Sequence, residues 1–177
     1  MKEKIIYKLN KQNLLITIGI ILFFGVFGFL FFINPSFFVS VFIRSESLIK
    51  FMGAVICIMC VFLLVGYTNV FIKNYGLILS NDGITNNTNL TNVGLIHWAE
   101  ITKIEVKELK KNKFILVFAR DNTKYYMKFK NPFIKLNFLA YAKFYGTPFV
   151  IEPKNIVCSF EELERSILES YNRNKQN

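Results

Sequence analysis

The chain has 177 residues, a net charge of +10, a calculated pI near 9.5 and a mean hydropathy of +0.35, with 53% of its residues hydrophobic. So apolar a composition excludes a disordered chain. Three cysteines are too few for a disulfide framework, and a single histidine leaves little for metal or triad chemistry.

In chain order, Lys2, Lys4, Lys8 and Lys11 form a basic flank over residues 1–13, and Leu14 to Ile33 follows with twenty residues and no charge. Sixteen of those twenty are Leu, Ile, Phe or Val, so a helix of this length matches the roughly 30 Å hydrocarbon thickness of a bilayer and bonds its own backbone there. A signal peptide is the competing reading. The run exceeds the usual h-region, and Asn34-Pro35-Ser36 is no cleavage site. Phe51 to Phe71 is a second charge-free stretch of spanning length, predicting a helical hairpin with a short external loop at 34–50. Within that loop, Phe37 to Ile43 suits a segment lying in the headgroup interface. The excess of lysine before the first span predicts that both termini face the cytoplasm. Gly53, Cys57 and Cys60 make a face of small side chains, expected to dock against Gly25 and Gly28.

From residue 74 the pattern alternates, predicting one small domain over 74–171. Strands are expected at Gly76 to Ser80, Ile84 to Thr88, Asn92 to Trp98, Lys103 to Leu109, Phe114 to Arg120 and Lys124 to Phe129, as an antiparallel meander. Asp82-Gly83 reads as a hairpin turn needing a positive φ. Pro132 opens a helix that Gly146 closes, Pro148 to Ile151 is a seventh strand, and Ser159-x-x-Glu162 caps a helix whose apolar face is Phe160, Leu163, Ile167 and Tyr171. A polar, frayed tail is expected at 172–177.

The stretch Gly76-Leu77-Ile78-Leu79, then Asp82-Gly83-Ile84-Thr85 and Gly94 to Ile101, resembles the opening of bacterial pleckstrin-homology-like (PH-like) domains. With Tyr145 to Ile151 and Ser159 to Leu163, most of the chain is similar to a family of small bacterial membrane proteins with two spans and a C-terminal PH-like domain. The resemblance implies an α+β fold with membrane helices, in which a transmembrane hairpin precedes a sandwich or barrel of about seven strands with an inserted helix and a closing C-terminal helix. It also implies the inner membrane as location, and it implies no activity.

Candidate chemistry is sparse. His97 has no second histidine near it in sequence, Cys158 no partner base, and Asp82, Glu100, Asp121 and Glu161 follow no catalytic spacing. The nucleotide-binding glycine patterns do not occur. No catalytic, cofactor or metal residue is therefore assigned. Residues 103–143 hold eleven Lys or Arg against three acids, a net +8. Lys110, Lys111 and Lys113, at one hairpin, are the candidate contacts for anionic lipid headgroups; a solvated face in a lysine-rich protein is the competing reading. No recognition motif points to nucleic acid. The expected function is a non-enzymatic, membrane-anchored binding or scaffolding protein that recruits a protein segment at an open sheet edge. The alternative is a membrane enzyme or transporter-associated subunit acting on a lipid-like substrate, which would need Asn69, His97 and an acid around one cavity. Asn86-Asn87-Thr88 and Asn89-Leu90-Thr91 match glycosylation sequons and are expected to be plain turn and strand residues.

Overall fold

The computed structural model describes residues 4–40, 44–110 and 112–175. They divide into two compact units, Gln12–Thr68 and, separately, residues 4–11 with 69–175.

The first unit is built on α1 (Lys11–Ile33) and α2 (Glu46–Ile72), both long and apolar enough to cross a membrane. Only 17% of the most apolar window of each is buried, which separates them from the core helices of a soluble fold. Helix α1 stops before Asn34-Pro35, where proline removes a donor and Pro35–Phe38 forms a single 3-10 turn. Helix α2 starts earlier than its charge-free run because Glu46 sits in its first turn and the Ser45 hydroxyl accepts from Leu48 N at 3.3 Å. Of the expected interfacial segment, Val41, Phe42 and Ile43 lie outside the described residues. The two helices meet where the small residues predict. A Cβ on Gly53 would lie 2.6 Å from Gly28 O and one on Gly28 2.7 Å from Ile56 Cγ2, while Cys57 Sγ lies 3.9 Å from Gly25 O. Side chains are excluded at Gly28 and Gly53 because the backbones touch there.

The second unit holds two antiparallel sheets. One has the order β1 (Ile5–Lys8), β2 (Tyr75–Leu79), β3 (Gly83–Asn86), β4 (Leu95–His97), and the other β5 (Ile101–Leu109), β6 (Asn112–Ala119), β7 (Phe149–Ile151). Helices α3 (Thr123–Tyr126) and α4 (Pro132–Tyr145) lie between β6 and β7, and α5 (Phe160–Lys175) ends the domain. A bridge between Leu9 and Ile156, with Asn10 N to Asn155 O at 2.8 Å and Val157 N to Lys8 O at 3.0 Å, continues β1 onto the segment after β7. The core gathers Leu77, Ile84, Trp98, Ile115, Tyr125, Phe149, Leu163 and Ile167 among others, from both sheets and α5. Burying a side chain of this size contributes about 1.5–3 kcal/mol.

Four local expectations change. The flank at 1–13 contains strand β1, which pairs Ile5 with Leu79 and Tyr7 with Leu77, so the domain does not begin at 74. Tyr7 and Leu9 are buried while Ile5, Ile6 and Lys8 are exposed; this period of two was masked by the lysines around it. The strand expected at Lys124 to Phe129 is instead the turn of helix α3, opened by Asp121 Oδ1 accepting from Thr123 N at 2.8 Å. The aromatics Tyr125 and Tyr126 of α3 and Phe129 after it step at helical intervals, and Tyr125 is carried to the core. The Asp82-Gly83 turn forms without any positive φ, and Gly83 answers a different need, since a Cβ there would lie 2.0 Å from Ile96 O. The tail is helical through Lys175, where Lys175 Nζ donates to Tyr171 Oη at 3.0 Å; residues 176–177 lie outside the described residues. Elsewhere the helix ends follow expectation, as Gly146 takes φ +79° and Ser159 Oγ accepts from Glu162 N at 3.2 Å; Asn131, ahead of Pro132, adds an unexpected cap by accepting from Phe133 N at 2.9 Å.

Candidate functional site

The basic hairpin joins β5 to β6, pairing Leu109 with Asn112 across Lys110 and Lys111. Lys110 takes φ +57°, a left-handed conformation that costs a residue with a Cβ about 1–2 kcal/mol and is usually left to glycine or asparagine. Lys111 lies outside the described residues. Lys113 is on β6, its ammonium 4.6 Å from the Phe160 ring centroid and 3.8 Å from Glu161, both partners being part of α5's first turn. That ion pair is solvent-exposed on both sides, so it restrains Lys113 only weakly. A cleft of about 230 Å³ opens beside it, lined by Lys113, Phe114, Glu152, Lys154 and Phe160. Glu152 there accepts from Tyr141 Oη at 2.9 Å and from Asn155 Nδ2 at 3.2 Å, and Lys154 Nζ lies 3.6 Å away. These bonds hold the carboxylate as part of the wall. The structure thus brings Lys110 and Lys113 to one hairpin, with Lys113 leaning on α5.

Strand addition has less edge to use than an open sheet would offer. Residues 155–157 take up the end of β1, and Tyr171 Oη donates to Thr102 O at 3.0 Å near the start of β5. The remaining length of β5 carries Lys103, Glu105, Lys107 and Glu108, and charge along an edge discourages indiscriminate pairing.

The loop from Asn86 to Gly94 is the largest feature that sequence reasoning missed. Asn87, Thr88, Asn89 and Thr91 are buried, and their side chains form a network. Asn86 and Asn89 donate to Val150 O at 2.9 and 2.6 Å, Asn87 donates to Val70 O at 3.2 Å and Tyr75 O at 3.0 Å, and Asn155 donates to Thr88 O at 2.7 Å. Asn86 and Asn89 also turn the chain locally by accepting from Thr88 N and Thr91 N, both at 3.0 Å. Asparagine suits this task because one amide both donates and accepts. The network joins the first sheet to β7 and to the segment leading into β2. It also decides the two sequons, since Asn86 and Asn89 are buried with their amides engaged and cannot take a glycan in the folded domain.

A second cluster went unnoticed because its members are far apart in sequence. Lys124 Nζ and Tyr125 Oη both donate to the Glu100 carboxylate. Burial alone would raise the Glu100 carboxyl, but the hydrogen bonds from Lys124 and Tyr125 and the Lys124 charge outweigh it and hold the group below the usual carboxylate range. Burial, and then the bond to Glu100, pushes the Tyr125 phenol well above its usual value. Glu100 therefore stays charged and Tyr125 neutral across the neutral range, and the cluster anchors α3 to the start of β5.

His97 is exposed on β4 with Nδ1 3.2 Å from Asp82 O, and Asn69 is exposed on α2. Neither lines any of the clefts described above or below. Cys158 is pushed up to about 11 by burial and then by Glu162, which leaves little thiolate near neutrality. A groove of about 260 Å³ within the hairpin unit, between Ile20, Phe24, Ile56, Met59 and Leu63, has room for an acyl chain and no charged group to act on one. Among the described residues no group of three or more His, Cys, Asp or Glu is placed to hold a metal ion. Set against protein-family models, curated proteins and solved structures, the chain matches none.

Proposed function

We propose that the protein is a membrane-anchored, non-enzymatic binding module: a PH-like domain held at the cytoplasmic face of the bacterial inner membrane, with its β5–β6 hairpin against anionic headgroups. The observation that carries this reading is the pairing of β1 with β2. These strands flank the two apolar helices, so the helical hairpin is an insertion within one sheet and both ends of it leave from the same domain. Two crossings then put residues 4–8 and 75–175 on one side, and the lysine flank makes that side the cytoplasm. Support for the PH-like reading is the arrangement of seven strands in antiparallel sheets of four and three with a C-terminal helix packed into the core. Support for lipid contact is Lys110 at the tip of a hairpin in a strained conformation, with about 1 kcal/mol expected for each lysine near an anionic surface.

The test uses the full chain in nanodiscs of phosphatidylcholine alone and with phosphatidylglycerol, read by hydrogen exchange across a salt series. Protection of amides 107–115 that needs phosphatidylglycerol, fades with salt and is lost in Lys110→Glu/Lys113→Glu supports the reading. Equal exchange in both lipids at low salt sinks the headgroup contact and leaves a protein segment as the partner to seek.

A further inference from the structure

Residues 122–151 contain five lysines (Lys124, Lys128, Lys130, Lys135 and Lys143) and no acid, whereas α5 carries Glu161, Glu162, Glu164 and Glu169 against Arg165, Arg173 and Lys175. The unbalanced positive charge lies in the stretch that includes α4. Helix α4 combines that positive stretch with an apolar surface on both sides. Its inner side is filled by Phe138, whose ring packs on Tyr126, Phe129 and Phe149. Leu136, Leu139 and Phe144 are nevertheless 64, 50 and 77% exposed, and Met127 ahead of the helix is 72% exposed. Leu136, Leu139 and Lys143 follow at three and four residue steps and so share one face.

Lys128 and Lys130, just after Met127 in the chain, and Lys143, next to Phe144, are exposed as well. Large apolar groups beside flexible ammonium groups match the boundary of an anionic bilayer, where the apolar parts enter the acyl region and the lysines remain with phosphates. Protein interfaces are built differently, with lysine depleted and arginine enriched. The chain's own connections favour the same occupant. Only two residues separate β1 from α1, and two separate α2 from β2, so a hairpin in the membrane keeps the domain at high effective concentration near lipid. The face is also continuous with the basic hairpin strand, because Lys107 Nζ donates to Phe144 O at 3.5 Å and lies 5.7 Å from the Tyr145 ring centroid.

We propose that α4 is a second, shallowly inserting membrane contact, with Met127, Leu136, Leu139 and Phe144 entering an anionic leaflet beside exposed lysines. The proposal rests on the anchored reading above and adds the surface by which the domain lies down on its own membrane. The test places Phe144→Trp in the full chain, reconstituted in nanodiscs whose phosphatidylglycerol carries brominated acyl chains, and subtracts the parent chain, whose only tryptophan, Trp98, is buried. Loss of more than half of the added emission in anionic discs is expected, with little loss when the brominated lipid is phosphatidylcholine. In the same background Leu136→Glu/Leu139→Glu, and separately Lys128→Glu/Lys130→Glu, should restore the emission; all four positions are exposed, and protease resistance checks the fold. Unquenched emission in anionic discs overturns the proposal. So does a blue shift in detergent that grows with protein concentration, which would assign the face to a second copy of the chain. Failure of the anchored reading looks different, since the chain would then not enter discs at all.

Discussion

In Gln12–Thr68 the two helices meet backbone on backbone at Gly28 and Gly53, whereas the core of the domain is built side chain on side chain around Trp98, Tyr125, Phe138 and Phe149. The difference follows from the solvent each region suits. Lipid offers no hydrophobic gain for bringing two apolar helices together, so close approach through small residues must supply the attraction. Water drives large side chains inward, and the polar groups buried along with them have to find partners. The domain meets that second demand with amides rather than charges, at Asn86, Asn87, Asn89 and Asn155.

The comparison can be broken or sharpened by four changes. Deleting residues 4–10 removes the buried Tyr7 and Leu9 and leaves β2 paired on its β3 side only, which should cost the domain about 4 kcal/mol or more and leave the helical hairpin formed. Limited proteolysis of the domain beside helical circular dichroism reads both at once, and a protease-resistant domain would show that β1 is dispensable. Asn89→Ala loses the bonds to Val150 O, Thr91 N and Thr91 Oγ1, an expected loss of about 3 kcal/mol at roughly 1 kcal/mol each, seen as a lower thermal midpoint. Gly53→Val forces a side chain to within 2.6 Å of the Gly28 carbonyl and should weaken the hairpin by about 2 kcal/mol, measured by unfolding in detergent with the domain's midpoint unchanged. Equal loss in both units would argue that they are not separable.

The smallest effect is expected at the Glu100 cluster. Tyr125→Phe removes one donor to the carboxylate and should cost about 1 kcal/mol near neutrality. Its pH dependence has a definite sign. Because the folded state holds the Tyr125 proton more tightly than the unfolded chain does, this contribution is fully present below the unfolded value near 10 and is lost as pH rises from there. Glu100 acts in the opposite sense, its contribution being present above the unfolded value near 4.5 and lost as pH falls below it. Thermal midpoints recorded as the pH rises past about 10 should therefore fall for the parent chain and fall less for Tyr125→Phe; parallel curves would remove the phenol from the account.

The hairpin was largely legible in the sequence, down to the face on which Gly25, Gly28, Gly53, Cys57 and Cys60 meet. A charge-free run of twenty residues states its own environment, and the small residues within it mark where another backbone comes close. The helix ends at Pro132, Gly146 and Ser159 were legible for a similar reason, since each acts on neighbours only a few residues away. What escaped were features whose partners are distant in the chain. Strand β1 exists because Tyr75–Leu79 offers it an edge across the whole inserted hairpin, and the run Asn86 to Thr91 turns inward because Val150, Tyr75 and Asn155 wait there. Lysines around Tyr7 and asparagines around Leu90 disguised both as surface.

For the candidate site the division is similar. Lys110 and Lys113 could be placed at one hairpin from spacing alone, but the lean of Lys113 onto Phe160 and the apolar face of α4 could not, because the periodicity of 132–145 marks one buried side and does not say what the opposite side meets. By itself the sequence determined two helices suited to a membrane, an α+β domain after them, both ends of α4 and the start of α5, all through composition and contacts of a few residues. Only the tertiary structure decided that the segment before the helices completes the sheet after them, that a run of asparagines is interior, and which leucines of α4 remain outside, because each depends on groups brought together across the whole chain.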